Sequence, residues 1–143
     1  MIVSIANSFM YGGSRVYASK TGVRVNEWRV MNSIATKPGA VAADIAALLK
    51  LNKAVVSRTI STLKELGLIV VEREVGAKRI YLTSAGLEVH QRIVPLARLR
   101  MKELTRGFTA ADTEQFLGYL SRANANLEGL RAYDQMLIDT VND

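Results

Sequence analysis

Apolar residues recur at helical spacing along most of the chain, and one stretch breaks that rhythm. Residues 5–20, with Ile5, Phe9 and Val16, keep an interrupted helical spacing, and the Gly12-Gly13 pair predicts one helix bent there. Asn26 is placed to cap a second helix whose Trp28, Met31 and Ile34 share a face, with Val30 beside them; Lys37-Pro38-Gly39 stops it. Ala42 to Leu49 sets Ile45, Leu48 and Leu49 among alanines, the pattern of a short, closely packed helix. Lys50-Leu51-Asn52-Lys53 leaves room for a tight turn alone. Asn52 can then cap a helix from Lys53 to Leu66, with Val56, Ile60, Leu63 and Leu66 as its apolar stripe. Gly67 stands where a left-handed C-terminal residue is expected.

The period then changes. Leu68 to Arg73 and Arg79 to Leu82 are short and rich in β-branched residues, with Glu74-Val75-Gly76-Ala77-Lys78 to turn the chain between them, which predicts a two-stranded hairpin. Thr83 caps a long helix from Ser84 to about Arg106, in which Pro95 predicts a bend or a split. Gly107 ends it. Thr109-Ala110-Ala111-Asp112 has the form of a capping box with Asp in place of Glu, opening a last helix with Phe116, Leu117, Leu120, Leu127 and Leu130 that reaches towards Leu137. The expected fold is mainly α with a small β-hairpin wing. Short helix, tight turn, second helix and hairpin is the order of a winged helix-turn-helix, spanning 26–83, with helices at 1–22 and 84–143 around it in a single domain, 1–143.

Composition narrows the chemistry. The chain has 143 residues, 49% of them apolar and 22% charged, which is globular composition. Nineteen Lys and Arg against 13 Asp and Glu leave a net charge of +6, favouring an anionic partner. The surplus sits in the first three quarters; beyond residue 106, two basic residues face six acidic ones. With no cysteine and only His90 as histidine, thiol chemistry, disulfides and a Cys/His zinc site are excluded. Neither a metal nor a cofactor is expected. No apolar run approaches the roughly 18 residues that span a bilayer, and no basic leader precedes an apolar block, so a cytoplasmic protein is expected. Paired carboxylates, a Gly-rich phosphate loop and a Ser/His/Asp set are all missing, which points away from an enzyme.

A helix fits the major groove of B-form DNA, and the preceding helix braces it through its apolar stripe. The outward side of the second helix would carry Lys53, Ala54, Ser57, Arg58, Ser61 and Thr62, with Asn52 at its start. Arg58 is the fork-shaped donor suited to guanine O6 and N7; the short hydroxyls let the helix approach and bond to phosphate or base. Arg73, Lys78 and Arg79 on the hairpin can neutralise phosphates or enter the minor groove. The same residues would also suit an ordinary wetted surface. A winged helix used only for protein–protein assembly is the alternative. One recognition helix covers few base pairs, so two related by a two-fold axis about 34 Å apart are expected, with Ile5, Phe9, Phe116, Leu120, Leu127 and Leu130 supplying a homodimer interface.

The runs Asn26-Glu27-Trp28-Arg29-Val30-Met31, Ala43-Asp44-Ile45-Ala46, Asn52-Lys53-Ala54-Val55-Val56-Ser57-Arg58, Leu63-Lys64-Glu65-Leu66-Gly67-Leu68-Ile69 and Leu82-Thr83-Ser84-Ala85-Gly86 resemble, in order and spacing, the MarR family of bacterial transcriptional regulators. The resemblance implies a homodimer on a pseudo-palindromic operator, usually a repressor, released by a small aromatic or phenolic ligand. It places the recognition helix on Lys53–Leu66 and the wing on Glu72–Leu82. A ligand pocket between the dimer helices and the DNA-binding lobe would draw on Tyr11, Arg15, Trp28 and His90, of which Tyr11 and Arg15 share a helix face. Two departures stand out. Arg24 stands where the family often has Thr or Ser, leaving the cap to Asn26. The wing is compressed, so the aspartate that would orient Arg79 has no counterpart in the sequence.

Overall fold

The structure is a computed structural model describing residues 1–74 and 76–141. The chain forms α1 (Ile2–Thr21), α2 (Val25–Thr36), α3 (Ala42–Leu49), α4 (Lys53–Glu65), β1 (Ile69–Glu74), β2 (Ala77–Leu82), α5 (Ser84–Leu104), α6 (Ala110–Ala125) and α7 (Leu127–Val141). The mainly helical fold with an antiparallel hairpin is the one the hydrophobic pattern predicts. It divides into two compact units, Met1–Met101 and Lys102–Asp143.

The first unit is organised around Val30, Met31, Ile34, Ile45, Val56, Leu63, Ile69, Ile80 and Ile93, one or more from each of α2, α3, α4, both strands and α5, all buried. Burial of side chains of this size contributes roughly 1.5–3 kcal/mol each. Several local expectations hold. The Asn52 side chain accepts from the Ala54 N–H at 2.8 Å and caps α4, Gly67 is left-handed at φ 69°, and Thr83 Oγ1 accepts from the Gly86 N–H at 3.1 Å at the start of α5.

α1 is one helix through Gly12-Gly13, as expected, while other expectations are corrected. A side chain on Gly12 would stand 3.0 Å from Arg100 Nη1, so there the missing side chain makes room for Arg100 rather than a break. Asn26 does not cap α2. The N-cap is Arg24, whose N–H donates to Glu27 Oε2 at 3.0 Å, while the Val25 N–H donates to Ser14 Oγ at 3.3 Å. Leu48 is exposed and Ala46 is buried in its stead, because α3 turns the alanine towards its neighbours. On α4, Leu66 lies just past the helix and is exposed, while Thr59 is buried, its hydroxyl donating to the Val55 carbonyl. α5, by contrast, is the long helix expected from Ser84, and it is not split at Pro95.

The second unit departs most from expectation. The Thr109–Asp112 capping box forms as predicted, with the Thr109 N–H donating to Asp112 Oδ2 at 2.8 Å and the Asp112 N–H to Thr109 Oγ1 at 3.1 Å. The Thr109 hydroxyl also donates to Asp112 Oδ2 at 2.7 Å, and that bond, with the one from the Thr109 N–H, holds the Asp112 carboxyl below its usual range. The single last helix is instead two, parted at Asn126, whose N–H donates back only three residues, to Ala123. Asn competes for the backbone and favours such helix ends. Phe108 and Phe116 meet edge to face at 5.7 Å. Leu117, Leu120, Leu130, Tyr133, Met136, Leu137 and Ile138 remain exposed on the unit.

Candidate nucleic-acid interface

The outer side of α4 is built as its periodicity predicts. Val56 and Leu63 are fully buried and Thr59 nearly so, which turns Lys53, Ala54, Ser57, Arg58, Ser61 and Thr62 to solvent, with Asn52 exposed ahead of them. Ser61 and Thr62 donate to the carbonyls of Ser57 and Arg58, one turn back, and Arg58 Nε donates to the Ala54 carbonyl at 3.4 Å. α3 and α2 hold this rod from behind. Arg29 Nη2 donates to the Leu49 carbonyl at the end of α3 (3.0 Å) and Nη1 to Asn26 Oδ1, and partial burial pulls its pKa down from the ordinary guanidinium value.

The hairpin register decides which basic residues stand beside that rod. β1 and β2 pair Arg73 with Lys78 and Val71 with Ile80, while Glu72 pairs with Arg79 and Glu74 with Ala77. The strands therefore extend further than expected: Glu74, Ala77 and Lys78 belong to the ladder, and the link is only Val75-Gly76, of which Val75 lies outside the described residues. Side chains alternate across a sheet, so Arg73 and Lys78 share the face of Val71 and Ile80. With Ser57, Ile60, Ser61 and Lys64 of α4 they line a groove of about 810 Å³. Lys64 was not singled out in the sequence; its place one turn beyond Ser61 on the exposed side of the helix is the signal that could have found it.

Arg79 sits on the other face. It is half-buried, its Nε 3.2 Å from Glu74 Oε2 and its Nη1 donating to the Gly39 carbonyl at 3.1 Å. A carboxylate that orients Arg79 is therefore present, contrary to expectation. In this register Glu74 lies on Arg79's side of the ladder, two residues from Glu72, which pairs with Arg79. The Tyr81 hydroxyl donates to Glu74 Oε1 at 2.8 Å, and that bond raises the phenol above its ordinary pKa. Gly39, at φ 78°, completes the group: a side chain there would stand 2.9 Å from the Tyr81 oxygen. Next to it, Gly39 N–H to Ile80 carbonyl and Ile80 N–H to Ala40 carbonyl tie the α2–α3 loop to β2 as a bridge.

The four residues considered for a small molecule enter three local contacts. The Arg15 guanidinium lies 5.9 Å from the centre of the exposed Tyr11 ring. Trp28 is partly buried against Tyr17, ring centres 5.4 Å apart. His90 Nε2 is 3.0 Å from Asn32 Oδ1 on α2, and burial lowers the imidazole pKa. Beside Tyr17 lies a group not singled out in the sequence. Arg100 Nη2 donates to the Phe9 carbonyl, with the guanidinium over the Phe9 ring at 4.7 Å. Burial raises the Tyr17 pKa, and Arg100 opposes that shift. Two buried donors here, Trp28 Nε1 and Arg100 Nε, have no acceptor among the described residues.

Residues 21–80 match the model of the MarR family. Among solved structures, the chain is similar to a MarR/EmrR-family transcriptional regulator from Acinetobacter sp. ADP1, with 28% identity, 90% of this chain and 92% of that one covered, and a TM-score of 0.84. It also shares its fold with S. aureus MepR in a DNA complex (16% identity, 88% and 93% covered, TM-score 0.79). A third similar fold is a MarR-family regulator from Listeria monocytogenes complexed with 26mer DNA (19% identity, 88% and 85% covered, TM-score 0.83). No curated protein matches the sequence.

Proposed function

We propose that this chain, which belongs to the MarR family, works as a homodimeric repressor that binds a pseudo-palindromic operator in duplex DNA. Members of the family are transcriptional regulators rather than enzymes. One observation carries the reading: Ser57, Ser61 and Lys64 on the exposed side of α4 line the same groove as the Arg73–Lys78 pair, hydroxyls beside three cations. Arg58, at the middle of the rod, reads base edges; Lys53, Ser57, Ser61 and Thr62 contact phosphate or base; Asn52 and Ala54 let the start of the helix approach; Arg73 and Lys78 neutralise backbone phosphates. The similar folds solved with DNA support it.

The homodimer draws support from apolar side chains left exposed on the described chain, Ile2, Val3 and Ile5 on α1 and the face of α6 and α7. Among the described residues, no helix is long and apolar enough to cross a membrane, which is compatible with a place beside the chromosome in the cytoplasm. A small aromatic acid or phenol releases the operator, and the two unpartnered donors, Trp28 Nε1 and Arg100 Nε, support that chemistry.

A footprint on the DNA upstream of the protein's own gene tests the operator, with salt titration of the affinity. Protection of two half-sites about one helical turn apart and a steep loss with salt are expected. An affinity insensitive to salt would point to protein assembly instead. Light scattering tests the dimer. Quenching of Trp28 by aromatic carboxylates, with parallel loss of operator, tests the effector.

A further inference from the structure

We infer that Arg79, with Glu74, Tyr81 and Gly39, is a latch that aims the wing, and that it positions the DNA-contacting pair Arg73 and Lys78 without itself touching phosphate. The inference rests on the DNA-binding reading above. Arg79 is the basic wing residue whose guanidinium is already committed at two ends, to the Glu74 carboxylate and to the Gly39 carbonyl. Those two partners lie on different elements, the tip of β1 and the loop between α2 and α3. The bond to Gly39 therefore ties the far end of the hairpin to the scaffold that also braces α3 and α4. Tyr81 holds the second carboxylate oxygen of Glu74, so the carboxylate cannot turn away from Arg79 without losing that bond.

The register does the rest. Arg73 and Lys78 face each other across the ladder on the opposite side from the latch. Any rotation of the hairpin about its long axis moves both cations relative to α4. Arg79 and Glu74 are each a little under half exposed, at 41% and 46%, so their ion pair alone is a weak clamp. The clamp acts through the geometry of four groups, each of which fixes another. Charge balance agrees, since Glu74 cancels Arg79 locally while Arg73 and Lys78 face the groove.

Contact and positioning differ in the salt dependence of binding. Each phosphate contact removed lowers the slope of log affinity against log salt by about 0.9. The probe is the duplex that the wild-type protein enriches from a random pool, with a mixed-sequence duplex of equal length beside it. Arg73→Ala and Lys78→Ala are expected to lower the slope by about 0.9 each. Arg79→Ala is expected to weaken the selected duplex about tenfold with the slope unchanged, and adding Glu74→Ala to it to cost less than a further twofold, as for groups in one network. Glu74→Gln removes the same charge as Glu74→Ala but keeps an acceptor, and should bind at least about fivefold more tightly than Glu74→Ala. A slope lowered by about one in Arg79→Ala, or equal affinities for the Gln and Ala variants at Glu74, would overturn the latch. A wild-type protein that enriches no duplex would instead remove the DNA-binding reading, a separate outcome.

Discussion

Gly86 lies in the first turn of α5, where the helix backs onto the chain leaving α4. A methyl group there would stand 1.9 Å from the Leu68 carbonyl oxygen and 2.9 Å from its carbon, both backbone atoms that no rotamer can move aside. Restoring an ordinary contact requires the two segments to part by roughly 1.5 Å, a backbone shift whose cost belongs to overpacking, about 1–3 kcal/mol. Three hydrogen bonds converge on the same spot: Thr83 N–H to Leu68 carbonyl (3.1 Å), Thr83 hydroxyl to Gly67 carbonyl (2.7 Å) and Gly86 N–H to Thr83 Oγ1 (3.1 Å). Losing one or two of them adds about 1 kcal/mol each, against about 1 kcal/mol returned by the helix preference of Ala over Gly. Gly86→Ala should therefore destabilise the protein by about 1–4 kcal/mol. Gly118, inside α6, has nothing within 4 Å of where its side chain would begin, so Gly118→Ala should stabilise by roughly 0.5–1 kcal/mol. Urea unfolding followed by circular dichroism, at fixed protein concentration, measures both. The same change with opposite signs is the expected result; a Gly86→Ala variant within 0.5 kcal/mol of wild type would refute the close-contact reasoning.

Three further outcomes follow from named contacts. Arg58→Ala should cost about 1–3 kcal/mol on the selected duplex and little on mixed sequence, checked by fluorescence anisotropy on both; equal losses would place Arg58 on phosphate. Asn52→Ala removes the acceptor of the Ala54 N–H and should cost about 1 kcal/mol, read from the midpoint of thermal unfolding, whereas Asn52→Ser should keep most of it. Burial depresses the His90 pKa in the folded protein below its unfolded value near 6.5, so the unfolded chain binds more protons in that interval. Stability should be full above about pH 6.5 and decline as pH falls towards the depressed folded value; His90→Gln should flatten that decline, and an identical pH profile in the variant would contradict it.

Much of the candidate surface was legible along the chain because helical periodicity is local. Val56 and Leu63 set the buried side of α4, and that alone turns Ser57, Arg58 and Ser61 outward. The caps at Asn52, Thr83 and Thr109 depend on atoms within three residues, and all three formed where a hydroxyl or amide oxygen met a helix start. The cap of α2 was misplaced because one of its acceptors, Ser14, comes from α1, eleven residues upstream of the donor. The division of α6 from α7 at Asn126 was hidden for a different reason: a continuous apolar pattern does not register one tightened turn.

The wing marks the boundary between the two kinds of information. Its position, strand character and basic content follow from a run of β-branched residues between two helices. Which of its cations face α4 does not, because a strand's side chains change face with every residue and the register hangs on the length of the link. Pairing Glu74 with Ala77 put Arg73 and Lys78 on one side and Arg79, Glu74 and Tyr81 on the other. The partner of Arg79 on the scaffold, the Gly39 carbonyl, lies forty residues away in sequence. Local chemistry thus determined the elements and the rod presented to solvent; tertiary packing alone decided which charges stand beside it, since that depends on bonds between segments distant along the chain.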